Sequence, residues 1–214
     1  LEARFITHDL KRFKVEKPEG YDFIPGQATV VSINLPEWKD EIRPFTFTNL
    51  RDAKYLEFMI KIYSDHNGVT KLLGKVNAGD ELIIHDVFGA IHYEKPGVFI
   101  AAGSGITPFI SIFRDLYNKN ALRGNRLIYV NKTMDDIIMG EELFRMLKKD
   151  FVNVLTRQNV IGYRERRIDR NYLIENIIDF SQHFYVCGPD DFVKEITTIL
   201  LDLGAKSESL IFEV

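Results

Sequence analysis

The chain has 214 residues, enough for one large domain or for two of ordinary size. Its 45% hydrophobic and 28% charged residues are ordinary for a globular protein, and a formal charge of −3 makes no general case for nucleic-acid binding. The single cysteine, Cys187, excludes an internal disulfide and a four-cysteine iron–sulfur cluster, so any cluster must sit on a partner.

Nothing approaches the run of ~18 apolar residues needed to span a bilayer. The most apolar stretch, Val98 to Ala102, soon meets glycines and Pro108. The chain opens at Leu1 without a signal-peptide pattern. The cysteine usage suits a reducing compartment, and a cytoplasmic location is expected. No metal site is expected.

Residues 1–94 show short strand-like runs: Phe13 to Glu16, Gln27 to Leu35, Arg43 to Asn49, Tyr55 to Tyr63 and Glu81 to His85. Turn residues punctuate them at Pro25-Gly26, Asn67-Gly68, Ala78 to Asp80 and Gly89. Many short strands with one brief helix predict an antiparallel barrel or sandwich.

Within this half, Arg43-Pro44-Phe45-Thr46 places an arginine, a ring and a hydroxyl along one strand. Pro44 extends Arg43 and interrupts pairing, which predicts an open side. That side suits a phosphate and a flat ring, while the same stretch also fits an ordinary edge strand with core phenylalanines. Gly68-Val69-Thr70 opens the short helix, with Thr70 as its N-cap, and offers an anion site.

Residues 95–214 alternate strand and helix. Strands are expected at Val98 to Ala102, Leu127 to Asn131, Val152 to Thr156, Phe184 to Cys187 and Leu210 to Glu213. Helices are expected at Pro108 to Asn120, Glu141 to Lys149, Asn171 to Ile178 and Pro189 to Leu203. In the last, Phe192, Ile196, Leu200 and Leu203 line one face, and Gly204 follows as a terminator. The fold class is all-β plus α/β, the second domain being a doubly wound parallel sheet.

Gly103-Ser104-Gly105-Ile106-Thr107-Pro108 follows the first parallel strand and opens a helix, where such sheets bind dinucleotides. Gly103 and Gly105 admit a pyrophosphate, Thr107 is the expected N-cap, and Pro108 suits the first helical position. A proline stands where the usual glycine fingerprint has its third glycine, and a tight turn without a ligand remains open.

Taken together and in order, these motifs resemble those of the ferredoxin–NADP reductase superfamily, nearest to its small flavodoxin and ferredoxin reductases. Arg43-Pro44-Phe45-Thr46 is similar to its flavin motif and Gly68-Val69-Thr70 to its flavin-phosphate motif. Gly103 to Pro108 is similar to its dinucleotide loop, and Cys187-Gly188-Pro189 to its late C-G-P turn. The resemblance implies a flavin-binding barrel over 1–94 and an NAD(P)-binding domain over 95–214. It implies FAD, with Arg43 on the flavin phosphate, Phe45 on the ring and Thr46 beside the atom that accepts hydride. Lys61 and Tyr63 fall near the rest of the flavin; Tyr63 either stacks on adenine or is an ordinary barrel tyrosine.

The resemblance further implies that Thr107, Cys187, Gly188 and Pro189 guide the nicotinamide, with Cys187 positioning and not nucleophilic. Glu213 is either a group beside the nicotinamide or a charged strand end. Thr156-Arg157, with Arg164 and Arg166 near it, is similar to the family's pair for a 2′-phosphate. Asn131-Lys132 ends a neighbouring strand, and no acid stands at either strand end to hold a ribose diol, so NADP is expected over NAD. The short basic run Arg164, Arg166, Arg167 and Arg170 reads equally as solvated surface. The implied partner is a flavodoxin or ferredoxin-like electron-transfer protein. The alternatives are an NADH-dependent reductase component for an oxygenase or cytochrome, and a non-catalytic flavin- or dinucleotide-binding subunit.

Overall fold

Short antiparallel strands build the first half of the chain. The computed structural model describes residues 1–65, 67–160 and 166–213. Its early strands are β1 (Glu2–Phe5), β2 (Leu10–Glu16), β3 (Ala28–Ile33), β4 (Arg43–Thr46) and β5 (Tyr55–Lys61), then helix α1 (Val69–Leu73) and β6 (Leu82–Phe88). They form two antiparallel three-stranded sheets, β1-β2-β5 and β4-β3-β6, joined by a bridge between Phe47 and Phe58. Leu56, Phe58 and Ile60 of β5 share a core with Phe13, Val31, Ile33 and Phe47, and α1 closes it with Val69 and Leu73. Phe23 stacks on Phe47 at 4.2 Å between centroids.

A buried lysine holds α1. Lys11 Nζ donates to the carbonyls of Leu73 (3.3 Å), Gly74 (2.9 Å) and Val76 (2.6 Å). The last carbonyls of a helix lack intrahelical donors and carry partial negative charge, so an ammonium there satisfies both needs. Burial pushes the Lys11 pKa down, with Asp80 opposing.

The second half is β7 (Gly97–Ala102), α2 (Thr107–Asn118), β8 (Arg126–Asn131), α3 (Gly140–Leu147), β9 (Phe151–Leu155), α4 (Arg170–Asn176), β10 (His183–Cys187), α5 (Asp190–Asp202) and β11 (Leu210–Glu213). The five strands are parallel in the order β11-β10-β7-β8-β9. Chain order reverses at β7, which puts a topological switch point between β7 and β10. Val98 and Ile100 pack with Tyr172 and Leu173 of α4 and Val193, Ile196 and Leu200 of α5. Phe99 faces the other way, stacked on Tyr185 at 4.2 Å. Burial on both faces explains why β7 reads as an unbroken apolar run.

The chain divides into two compact units, Leu1–His92 with Thr107–Asp115, and Tyr93–Ile106 with Leu116–Val214. The sequence reading places a single cut at 94/95. The first half of α2 falls with the barrel because its side chains bond there, Ser111 to the Gly26 amide and Arg114 to the Thr48 carbonyl.

Two expected caps differ. Gly68, in extended conformation, is the cap of α1, and Thr70 already lies in the helix; glycine is itself an accepted N-cap, which ends the need for the threonine. Thr107 is the first residue of α2 and follows a 3-10 turn over Gly103–Ile106, so helical winding begins before any extended cap residue.

Candidate active site

The Arg43–Thr46 strand lies at a sheet edge, paired on one side only, with Thr46 opposite Ala28 and Arg43 opposite Val31. Pro44, which has no N–H to give, is tolerated there. Arg43 is exposed; its Nη1 donates to the Ile42 carbonyl at 2.7 Å and its Nη2 lies 3.6 Å from Glu41. Phe45 is half-buried against the barrel core and Thr46 is half-buried beside it.

At the far end of the barrel strands, Lys61 pairs with Asp9 at 2.8 Å and Tyr63 is exposed. Val69 is buried in the barrel core, which leaves its main chain as the part able to meet a ligand. Among the described residues, nothing lies within 4 Å of a Cβ built on Gly68.

The glycine loop is a clasp. A Cβ on Gly105 would lie 2.6 Å from the Gly188 amide nitrogen and closer still to the Cys187 carbonyl oxygen, so only glycine fits. Gly103 takes a positive φ of 54° with open space over it. The Tyr129 hydroxyl donates to its carbonyl at 2.9 Å, fixing the turn. Cys187 pairs in register with Ala101 on one side and Glu213 on the other. The clasp therefore brings the loop, Cys187, Gly188 and the main chain of Glu213 to the carboxyl ends of three adjacent strands.

Beside it, at the ends of β8 and β9, lies a cavity of about 990 Å³ lined by Thr156, Arg157, Arg166, Arg167, Pro189 and Phe192 among others. The Thr156 and Arg157 amides donate to the carbonyls of Asn131 and Lys132. Arg166 bonds Glu175 at 2.7 Å, which raises its pKa, and sits 5.0 Å over the Tyr172 ring. Arg167 bonds Glu195 at 2.6 Å. Arg157 is exposed and has no carboxylate partner among the described residues. Arg164 lies outside the described residues.

These residues fit the groups the fold suggests. Asn131, at the end of β8, is buried with both polar side-chain atoms unpartnered among the described residues. An orphaned amide, an open glycine and an unpaired arginine at strand ends are the donor set of a phosphate-bearing nucleotide.

Residues 99–198 match the family of oxidoreductase NAD-binding domains. That match agrees with the resemblance of the motifs to the ferredoxin–NADP reductase superfamily. Among related proteins, it is 28% identical to NADH-cytochrome b5 reductase 1 of Eremothecium gossypii, over 93% of this chain and 76% of that protein. It is 23% identical to the reductase component of propane 2-monooxygenase of Rhodococcus jostii, over 97% of this chain and 60% of that protein. The structure of a ferredoxin NADP+ reductase from Neisseria gonorrhoeae with bound FAD and NADP superposes with a TM-score of 0.83. That match covers 100% of this chain and 95% of the other at 24% identity, and it shows the shared fold. These relatives are reductases, and with them the chain is an NAD(P)H-dependent flavoprotein oxidoreductase by class.

Sequence reasoning missed a buried polar cluster. Glu57 and Arg114 form an ion pair at 2.7 Å with Glu57 only 3% exposed. A signal was present: Glu57 interrupts the apolar run of β5, and Thr107, Ser111 and Arg114 recur at helical spacing on one face of α2.

Proposed function

We propose that the chain takes electrons from NADPH and passes them singly to a small acceptor protein such as flavodoxin or ferredoxin. The observation that carries this reading is the clasp of Gly105 against Cys187-Gly188 at the switch point, beside an arginine-lined cavity. When bound, FAD supplies the exchange between two-electron and one-electron chemistry. The chain's own residues bind and orient.

On the barrel, Arg43 meets the flavin phosphate, the bidentate task that suits a guanidinium. The first amides of α1, from Gly68 to Thr70, lack intrahelical acceptors and add donors there. Phe45 turns its exposed side to the ring, and the Thr46 hydroxyl sits at the atom that receives hydride. Lys61 and Tyr63 border the remainder. On the sheet side, Gly103, Gly105, Thr107 and Pro108 hold the pyrophosphate. Cys187, Gly188, Pro189 and Glu213 orient the nicotinamide, and Thr156 and Arg157 take the 2′-phosphate.

A second reading has an observation of its own. The Eremothecium gossypii relative is named for NADH and cytochrome b5, and the Rhodococcus jostii relative for an oxygenase. An NADH-dependent reductase serving a haem protein or an oxygenase would share every cofactor-facing residue except the 2′-phosphate pair. Steady-state reduction of ferredoxin, flavodoxin and a b-type cytochrome with each coenzyme separates the two.

The barrel half is tested by two substitutions. Arg43→Ala removes a charge-assisted contact worth about 1.5–3 kcal/mol and should weaken FAD binding by about ten- to a hundredfold in fluorescence titration. Unchanged affinity would remove Arg43 from the site. Thr46→Ala should slow flavin reduction in anaerobic stopped-flow more than it weakens FAD binding, because a displaced donor costs rate through orientation. Reduction at wild-type speed would count against its role.

A further inference from the structure

The helix that carries the dinucleotide loop is locked to the segment that carries the flavin motif. Thr107, Ser111 and Arg114 stand at i, i+4 and i+7, one above the other on a single face of α2. Ser111 is fully buried; its Oγ accepts from the Gly26 amide at 3.0 Å and donates to the Pro108 carbonyl at 3.1 Å. Arg114 Nη1 donates to the Thr48 carbonyl at 2.6 Å and to Glu57 Oε1 at 2.7 Å. Thr48 Oγ1 donates to the same carboxylate oxygen at 2.8 Å, and the Glu57 amide donates to Asn49 Oδ1 at 2.8 Å. Thr48 comes two residues after Thr46, and Phe47 between them donates to the Gln27 carbonyl at 3.0 Å.

A buried ion pair is weak support for stability, since apolar residues of the same volume often serve as well or better. Its bonds are directional, and they fix one geometry where an apolar contact would let a helix slide. Arg114 lies two helical turns, or roughly 10 Å, from Thr107 on a rod that does not bend at this length. An angular error at Arg114 is therefore delivered to the first residue of the helix.

We propose that Arg114, Glu57 and Ser111 are positioning residues: they set the placement of the Thr107–Pro108 end of α2 against the Thr46 strand, and with it the rate of hydride transfer. The proposal rests on the electron-transfer reading above. None of the three touches a reacting atom. Hydride transfer needs reacting atoms about 3–3.5 Å apart, and a 1 Å misplacement can cost a hundredfold.

The test compares Arg114→Met, Glu57→Gln and Arg114→Lys with wild type. Flavin reduction is followed by anaerobic stopped-flow with NADPH and NADH, each also with deuterium at the transferred position. Amide exchange over residues 107–115 is read without coenzyme. Arg114→Met should cut the rate at saturating coenzyme by about ten- to a hundredfold. FAD content and the Michaelis constant should stay nearly constant, the isotope effect should rise toward its intrinsic size, and exchange over 107–115 should quicken. Arg114→Lys, which keeps the charge and loses the second bond, should recover part of the rate; it carries the test if the methionine variant fails to fold. Glu57→Gln keeps an acceptor for Thr48 and Arg114 and should fall between. Wild-type rates and wild-type exchange in Arg114→Met or Arg114→Lys would overturn the proposal. If neither coenzyme reduces the wild-type flavin, the electron-transfer reading fails; the exchange result still shows whether the lock holds α2.

Discussion

Gly105→Ala should lower the melting temperature by several degrees and empty the dinucleotide site. Its new Cβ would meet two backbone groups, the Cys187 carbonyl and the Gly188 amide, neither of which can rotate away as a side chain can. Overpacking of this kind costs about 3 kcal/mol, which for a chain of this size is roughly 6–12 °C. The alternative to unfolding is that β10 and the loop move apart, which opens the clasp and lowers coenzyme affinity. Gly103→Ala is the control. Its Cβ meets nothing within 4 Å, and the cost is only that of a left-handed φ of 54°, roughly 1–2 kcal/mol. Thermal unfolding of both variants, followed by coenzyme titration, makes the comparison. A Gly105→Ala protein as stable as wild type would show that the clasp is looser than described.

Arg157→Ala should raise the Michaelis constant for NADPH by about ten- to a hundredfold, the value of one charge-assisted hydrogen bond of roughly 1.5–3 kcal/mol. It should change that for NADH little. A 2′-phosphate brings about two negative charges and several acceptor oxygens. Arg157 can meet them because its amide is anchored on the Lys132 carbonyl while its side chain has no carboxylate of its own among the described residues. Arg166 and Arg167 differ, being tied to Glu175 and Glu195. Arg157 is exposed, so the effect should shrink at high salt as the Debye length falls. Equal losses for the two coenzymes would make Arg157 a structural residue, and a wild-type preference for NADH would favour the second reading.

Most of the parallel sheet was legible because its strands are apolar on both faces and its helices have one clear stripe. The barrel was harder. β1 is not evident in the sequence because the four residues Glu-Ala-Arg-Phe are too few to establish a period, and pairing with β2 makes them a strand. The cap of α1 was misplaced because threonine outranks most residues as a cap in the abstract, while the backbone there already provides one at Gly68. Glu57 was passed over because a carboxylate in an apolar run reads as the wet face of a strand. In the fold both faces of β5 are covered, and Met59 on the same side is buried as well. The loop motifs were legible for a different reason: they depend on glycine and proline, whose backbone demands hold wherever the chain goes.

The return of residues 107–115 to the first unit bears on how the chain comes off the ribosome. After its first 92 residues all six barrel strands exist, yet Glu57 has no guanidinium and the Gly26 amide no hydroxyl to meet it. The barrel stays unfinished until β7 and the whole glycine loop have been synthesised. Synthesis from the N-terminus usually lets one domain mature before the next begins. Here the birth order is interleaved: the first unit waits on a strand of the second, and a premature stop anywhere between 93 and 114 leaves the buried Glu57 carboxylate without its guanidinium.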